Sequence, residues 1–173
     1  MTINLFQIDK SGGNPFEKDY SIALVLDKKW VYGVNIPKDI KDRLIYLFRI
    51  GELNIDNGSK KQKKNRFGLR FHTSVIIKLV EQATNDLGIL NNVNFQICND
   101  FDGHFHEIKD MVFKNIRNLI PNLQLEDIIE TKFPKLSLIN TAAKAFRNKD
   151  TSGLKNCHHI NLDINELIKI IKK

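Results

Sequence analysis

Two cysteines in 173 residues, Cys98 and Cys157, are too few for a disulfide framework, and nothing in their spacing requires a bond between them. The start, MTINLFQIDK, has no apolar segment of the kind a secretory leader needs. No run comes near the roughly 18 consecutive apolar residues of a membrane span. These absences lead to the expectation of a reduced, cytoplasmic chain with no membrane partner. Cys98, His104, His106 and the run Cys157-His158-His159 are ligand-type residues, but they lack the paired spacing of a zinc site. Internal repeats and linker-like stretches are missing too, so residues 1–173 read as one domain.

What is present is a basic, core-forming chain. Hydrophobic residues make up 42%, eleven of them Phe and one Trp, enough to bury a real core. Lys and Arg number 27 against 20 Asp and Glu, a formal charge of +7. Such a surface favours polyanions, with nucleic acid first and an anionic membrane second. The charge is concentrated: Lys60, Lys61, Lys63, Lys64, Arg66 and Arg70 fall within eleven residues, and no acid occurs from Asn57 to Val80. That segment is a candidate backbone clamp for DNA or RNA. Phe67 and Phe71 are interleaved in it and are candidates for base stacking, although Phe71 also fits a helical core stripe.

Periodicity gives the element order. Residues 3–8 read as a strand, and 19–37 as two strands broken at Asp27-Lys28-Lys29. Pro37-Lys38-Asp39 opens a helix with Ile40, Leu44, Leu47 and Phe48 on one face, ended by Gly51. Residues 54–66 are polar and aperiodic and read as an exposed loop. Phe71, Val75, Ile76, Leu79, Val80, Ala83 and Leu87 mark a helix that Gly88 stops. Residues 93–98, VNFQIC, are a fourth strand. A helix runs from about His104 to Ile120, a fifth strand covers 126–133, and Pro134 opens a helix carrying Leu138, Ile139, Ala142, Ala143 and Phe146. Residues 148–159 read as loop, and 163–173 as a last amphipathic helix. The order β-β-β-α-α-β-α-β-α-α implies an α/β fold. Three antiparallel strands lead into parallel ones, giving a five-stranded mixed sheet flanked by helices.

Acids stand at two strand ends in this order. Asp9 closes the first strand, just before Ser11-Gly12-Gly13, and Asp100 and Asp102 follow the fourth. If those strands lie side by side and parallel, their carboxylates converge, and converging carboxylates call for a cation. Mg²⁺ and Mn²⁺ prefer such oxygen ligands, and a pair of these ions activates water and stabilises the leaving oxygen of a phosphodiester. The other reading makes Asp9 a turn former and Asp100 or Asp102 a helix cap.

The run IDKSG after an opening strand, the β-β-β-α order and an acid after the fourth strand resemble the ribonuclease H-like superfamily. The chain is most similar to poorly characterised members that open with an Asp-x-Ser-Gly strand end. Those members carry a late helix of the form apolar-x-apolar-Ala-Asp-x-x-Ala, matched here by LSLINTAA, residues 136–143. The resemblance spans most of residues 3–147. It implies four acids binding two divalent ions: Asp9 as the first, Glu52 as the helix-borne second, and Asp100 or Asp102 as the third, with Asp100 nearer the strand. At the fourth position Asn140 replaces the acid. It offers a carbonyl oxygen but no charge, unless Asp150 or Glu107 substitutes. His104 is a candidate to orient a water or the scissile phosphate. The implied activity is a Mg²⁺- or Mn²⁺-dependent nuclease. The alternative is a nucleic-acid-binding module that keeps the fold without the activity, and a weaker third reading is a protein-interaction domain with a basic face.

Overall fold

A computed structural model describes residues 4–16, 19–53, 55, 59–88, 90–98, 101 and 103–172. Strands β1 (Asn4–Ser11), β2 (Ser21–Leu26) and β3 (Trp30–Asn35) precede helices α1 (Lys38–Arg49) and α2 (Lys60–Leu87). Next come β4 (Val93–Cys98), α3 (Phe105–Ile116), a 3₁₀ turn at Leu125–Asp127, β5 (Ile128–Thr131), α4 (Leu138–Asn148), β6 (Cys157–His159) and α5 (Ile164–Lys172). The strands form one sheet in the order β5-β4-β1-β2-β3-β6. β1, β2 and β3 pair antiparallel, while β4 joins β1, β5 joins β4 and β6 joins β3 in parallel. The mixed α/β architecture with β1 beside a parallel β4 is the one the element order implies.

Six strands replace the expected five. The sixth comes from the segment read as loop, where Cys157, His158 and His159 pair with Val31, Tyr32 and Gly33. Three residues of no alternating polarity leave little to detect, yet His158 stacks on the Tyr32 ring at 4.8 Å. Cys98 and Cys157 lie on β4 and β6 with three strands between them, and neither forms a disulfide. That separation rules out the disulfide and keeps Cys98 away from His158 and His159.

β5 is shorter than expected, α3 ends at Ile116 and α4 starts at Leu138, and two further boundaries that bear on the site move. The first strand continues to Ser11 because Asp9, Lys10 and Ser11 pair with Ala23, Ile22 and Ser21, so Asp9 lies inside the strand. Residues 60–66, expected as loop, are the start of α2. Ser59 and Gln62 form a reciprocal capping box, with Ser59 N donating to Gln62 Oε1 at 2.8 Å and Gln62 N to Ser59 Oγ at 3.3 Å. The 28 residues of α2 span about 42 Å. Its first two turns carry no apolar stripe because they have no core to face.

The sheet separates two cores. On one face Phe6, Ile8, Ile22 and Leu24 pack with α1, α2, α3 and α5. The centre of α2, from Phe67 to Thr84, is buried almost all round. Its hydroxyls Thr73 and Thr84 donate to the carbonyls of Leu69 and Val80, four residues back. On the other face Ala23, Val25 and Val31 meet α4 through Ile139, Ala142, Ala143 and Phe146. No helix among the described residues is long and apolar enough to cross a membrane.

α4 is seated closely. Ser137 caps its start, Ser21 Oγ donates to the Ala143 carbonyl at 2.7 Å, and Asn35 Nδ2 donates to the Phe146 and Arg147 carbonyls at 3.3 and 3.1 Å. The Phe146 ring lies against Gly33, where an added Cβ would come within 2.3 Å of it. Gly33→Ala therefore forces α4 off the sheet or Phe146 out of its rotamer, at about 1–3 kcal/mol. Denaturant melts will show this destabilisation, and Phe146→Leu in the same chain will recover part of it. Simple additivity of the two effects would contradict the close approach of ring and glycine.

Candidate functional site

Alternation along β1 turns Phe6 and Ile8 toward α2 and Asp9 toward α4. Asp9 is 5% exposed. Its Oδ1 accepts from the Lys10 backbone N–H at 2.8 Å, and its Oδ2 accepts from Asn140 Nδ2 at 3.2 Å. Asn140 sits in the first turn of α4, three residues after the Ser137 cap. The seating of α4 on β2 and β3 thus sets the Asp9–Asn140 contact. Among the described residues, Asn140 Oδ1 is buried without a hydrogen-bond partner. The amide turns its N–H toward Asp9, so the two residues would offer a shared oxygen pair to a hard cation only with the Asn140 amide turned over.

Other predicted ligands are placed differently. Asp100 and Asp102 lie outside the described residues. β4, which leads to them, runs parallel to β1 with Ile97 level with Ile8. Glu52 is exposed just past α1, whose buried residues Leu44 and Leu47 belong to the core across the sheet from Asp9. Helix α1 packs on the α2 side, so Glu52 and Asp9 start from opposite faces. Among the described residues no group of three or more His, Cys, Asp and Glu is arranged to hold a metal.

His104 is at the start of α3, with Nδ1 2.8 Å from Glu107 Oε1. It lines a cavity of about 320 Å³ together with Asn14, Lys64, Arg66, Leu69 and Phe101. Asn14 follows β1, Phe101 follows β4, and Lys64 and Arg66 belong to the first turns of α2. The basic segment and the carboxyl ends of β1 and β4 therefore share one edge of the sheet, the edge where open α/β sheets hold ligands. Lys60, Lys61 and Lys64 are exposed, and Lys63 and Arg66 are half-buried. Arg70 is committed elsewhere, donating to the Ile171 carbonyl of α5 at 3.1 Å. Cations in the first turn oppose the helix dipole by about 0.3–1 kcal/mol each, and an anion bound there removes the conflict.

Phe67 and Phe71 are buried, at 1% and 0% exposure, so neither ring is available to a base. The half-buried rings of this stack are Phe16 and Phe48. Each lies on Phe67, with centroids at 4.6 and 4.5 Å. Neither falls in the basic run, so charge clustering gave no signal for them.

Sequence reading also passed over Tyr20 and His72. Tyr20 is fully buried, and its hydroxyl is 2.8 Å from Nδ1 of His72. The Phe101 ring lies 5.2 Å from His72. Burial, aided by nearby Lys10, pushes the His72 imidazole down to about 3. His72 thus lies behind the cavity's Phe101 wall.

No protein-family model, curated protein or solved structure matches the chain.

The depressed His72 sets a pH dependence. An unfolded histidine takes up its proton below about pH 6.5, while the folded one stays neutral down to about pH 3. Its contribution is whole above pH 6.5 and falls as pH drops from there toward 3, by up to about 1.4 kcal/mol per pH unit. Urea melts at pH 7 and pH 4.5 will show a smaller acid destabilisation in His72→Gln than in the native chain. Equal acid destabilisation in both would disprove the buried, neutral state.

Proposed function

We propose that the protein is a metal-dependent nuclease of ribonuclease H-like fold acting on DNA or RNA. The carrying observation is the buried Asp9 near the carboxyl end of a central strand, in contact with Asn140 of α4, with Lys64 and Arg66 of the basic first turns of α2 beyond the same strand end on the opposite face of the sheet. The fold assignment is supported by β1 lying between an antiparallel β2 and a parallel β4.

Asp9, and Asn140 Oδ1 with its amide turned over, are the described groups that would hold Mg²⁺ or Mn²⁺, with Asp100 or Asp102 completing the set. Such an ion supplies Lewis acidity toward a phosphodiester oxygen. The chain's own residues do the rest. The basic turns of α2 bind the phosphate backbone and release its counterions. His104, oriented by Glu107, is placed on the cavity wall to exchange a proton with a bound phosphate or water.

A second reading, a nucleic-acid-binding module without hydrolysis, draws on one observation. Asn140 already satisfies one Asp9 oxygen with an amide donor, so the carboxylate needs less from a cation than a carboxylate pair would.

Three measurements test these readings, the first separating them. Divalent-dependent cleavage of a labelled oligonucleotide is expected, and it should vanish in Asp9→Asn. Cleavage that survives in that variant removes the nuclease. Asn140→Asp exchanges the amide donor for a second carboxylate, so without divalent ions it should melt lower than the native chain. Mn²⁺ should then raise its melting temperature more than it raises the native one, a readout that needs no activity. Replacing Lys60, Lys61, Lys63 and Lys64 with Ala should flatten the dependence of log affinity on log salt by about 0.7–0.9 for each phosphate no longer neutralised. An unchanged slope would place binding elsewhere.

A further inference from the structure

Between α1 and the start of α2 lies a recess of about 610 Å³, on the other side of Lys64 from the His104 cavity. Its walls are apolar and largely aromatic: Phe16, Ile45 and Phe48, with the buried ring of Phe67 behind. The rings are nearly parallel, Phe48 to Phe67 at 8° and Phe16 to Phe67 at 22°. Phe67, locked in the core, holds the two half-buried rings in fixed planes. Arg49, Lys60 and Lys64 stand around this apolar floor, and the described residues lining it include no acid.

An apolar recess whose charged lining residues, among those described, are all cations favours a ligand that is planar and uncharged at its centre and anionic at its margins. A nucleobase with its flanking phosphates has that form. An apolar helix of a protein partner would leave Arg49, Lys60 and Lys64 unmatched unless it were itself acidic. A paired base keeps its faces inside the duplex stack and has none to offer.

We propose that this recess docks one unpaired base of a single-stranded nucleic acid. Phe16 and Phe48 form the wall against the ring, and Arg49, Lys60 and Lys64 hold the neighbouring phosphates. The recess shares Asn14 and Lys64 with the cavity that reaches His104, so a strand seated here continues along the edge beyond β1 and β4. The proposal rests on the nucleic-acid reading above and narrows its substrate class to single strands.

The test is fluorescence anisotropy in EDTA, where cleavage cannot intervene. Labelled oligothymidine is compared with an abasic strand of equal length and with a duplex of the same length. Oligothymidine should bind about tenfold tighter than the abasic strand, the range expected for one stacked base, and tighter than the duplex. Phe48→Leu keeps an apolar contact on Phe67 and should erase most of the preference without weakening the abasic strand. Arg49→Glu, at an exposed position, should weaken both strands. Equal affinity for oligothymidine and abasic strand in the native chain overturns the subsite and leaves the nucleic-acid reading standing. Tighter binding of the duplex does the same. A chain that binds none of the three overturns both.

Discussion

A carboxylate inside a protein must be met by donors or by a cation, and Asp9 is met by two donors. A carboxylate offers about four acceptor positions, and the Lys10 N–H and the Asn140 amide occupy one each. Much of the fold bears on the second. Asn140 reaches Asp9 because α4 lies flat on β2 and β3. α4 lies flat because Gly33 has no side chain, Ala142 and Ala143 are small, and Ser21 and Asn35 hold its carbonyls. Seating α4 a few ångströms higher would leave a buried charge short of a donor, at about 1–3 kcal/mol or more. The same seating leaves Asn140 Oδ1 buried and unmatched among the described residues. Asp9 and Asn140 together thus carry more acceptor capacity than the described donors fill, although the side of the Asn140 amide that meets Asp9 is its N–H.

The cationic start of α2 carries the opposite imbalance. Four lysines within five positions crowd the positive end of a helix dipole, with no acid in its first turn to offset them. The Ser59–Gln62 capping box and the long buried centre of the helix hold these turns in place despite the repulsion. One edge of the sheet therefore has surplus acceptors in its interior and surplus cations on its rim.

Much of the fold could be read from residue pattern because it follows from burial. The Asp27-Lys28-Lys29 break between β2 and β3, the stripe from Phe71 to Leu87 and the alternation of VNFQIC each reflect where the chain is buried and where it is not. Failures occurred where an element has no core to face or a partner outside its own segment. The first turns of α2 project beyond the packed region, so their only local sign was the S-x-x-Q capping box at Ser59. β6 is held by Tyr32 and by pairing to an edge strand, neither visible in Cys157-His158-His159 itself. Arg70 fits the basic run by type but is drawn to the carbonyl end of α5. At the site, residue pattern could suggest Asp9 and Asn140. It could not show which face Glu52 occupies, because α1 reverses the chain onto the side of the sheet away from α4.

That two-sidedness gives the turn after β1 its importance. Asp9 faces α4, while the basic rim, His104 and the aromatic recess lie on the α2 side. Chain from Lys10 to Phe16 connects them. Lys10 Nζ clamps the turn by donating to the Gly12 and Gly13 carbonyls at 3.0 and 3.2 Å. Gly12 has φ +110°, and a Cβ there would sit 3.0 Å from the Asp19 carbonyl. Only glycine fits without strain on both counts. Beyond it, Pro15 is buried and Phe16 drops onto Phe67, so the turn is pinned at both ends. Asn14, between the pins, lines both cavities at this edge, as Lys64 does from α2. The carboxylate lies just before Ser11-Gly12-Gly13 because the chain must leave the α4 face immediately after delivering Asp9, and cross to the side where the cations are.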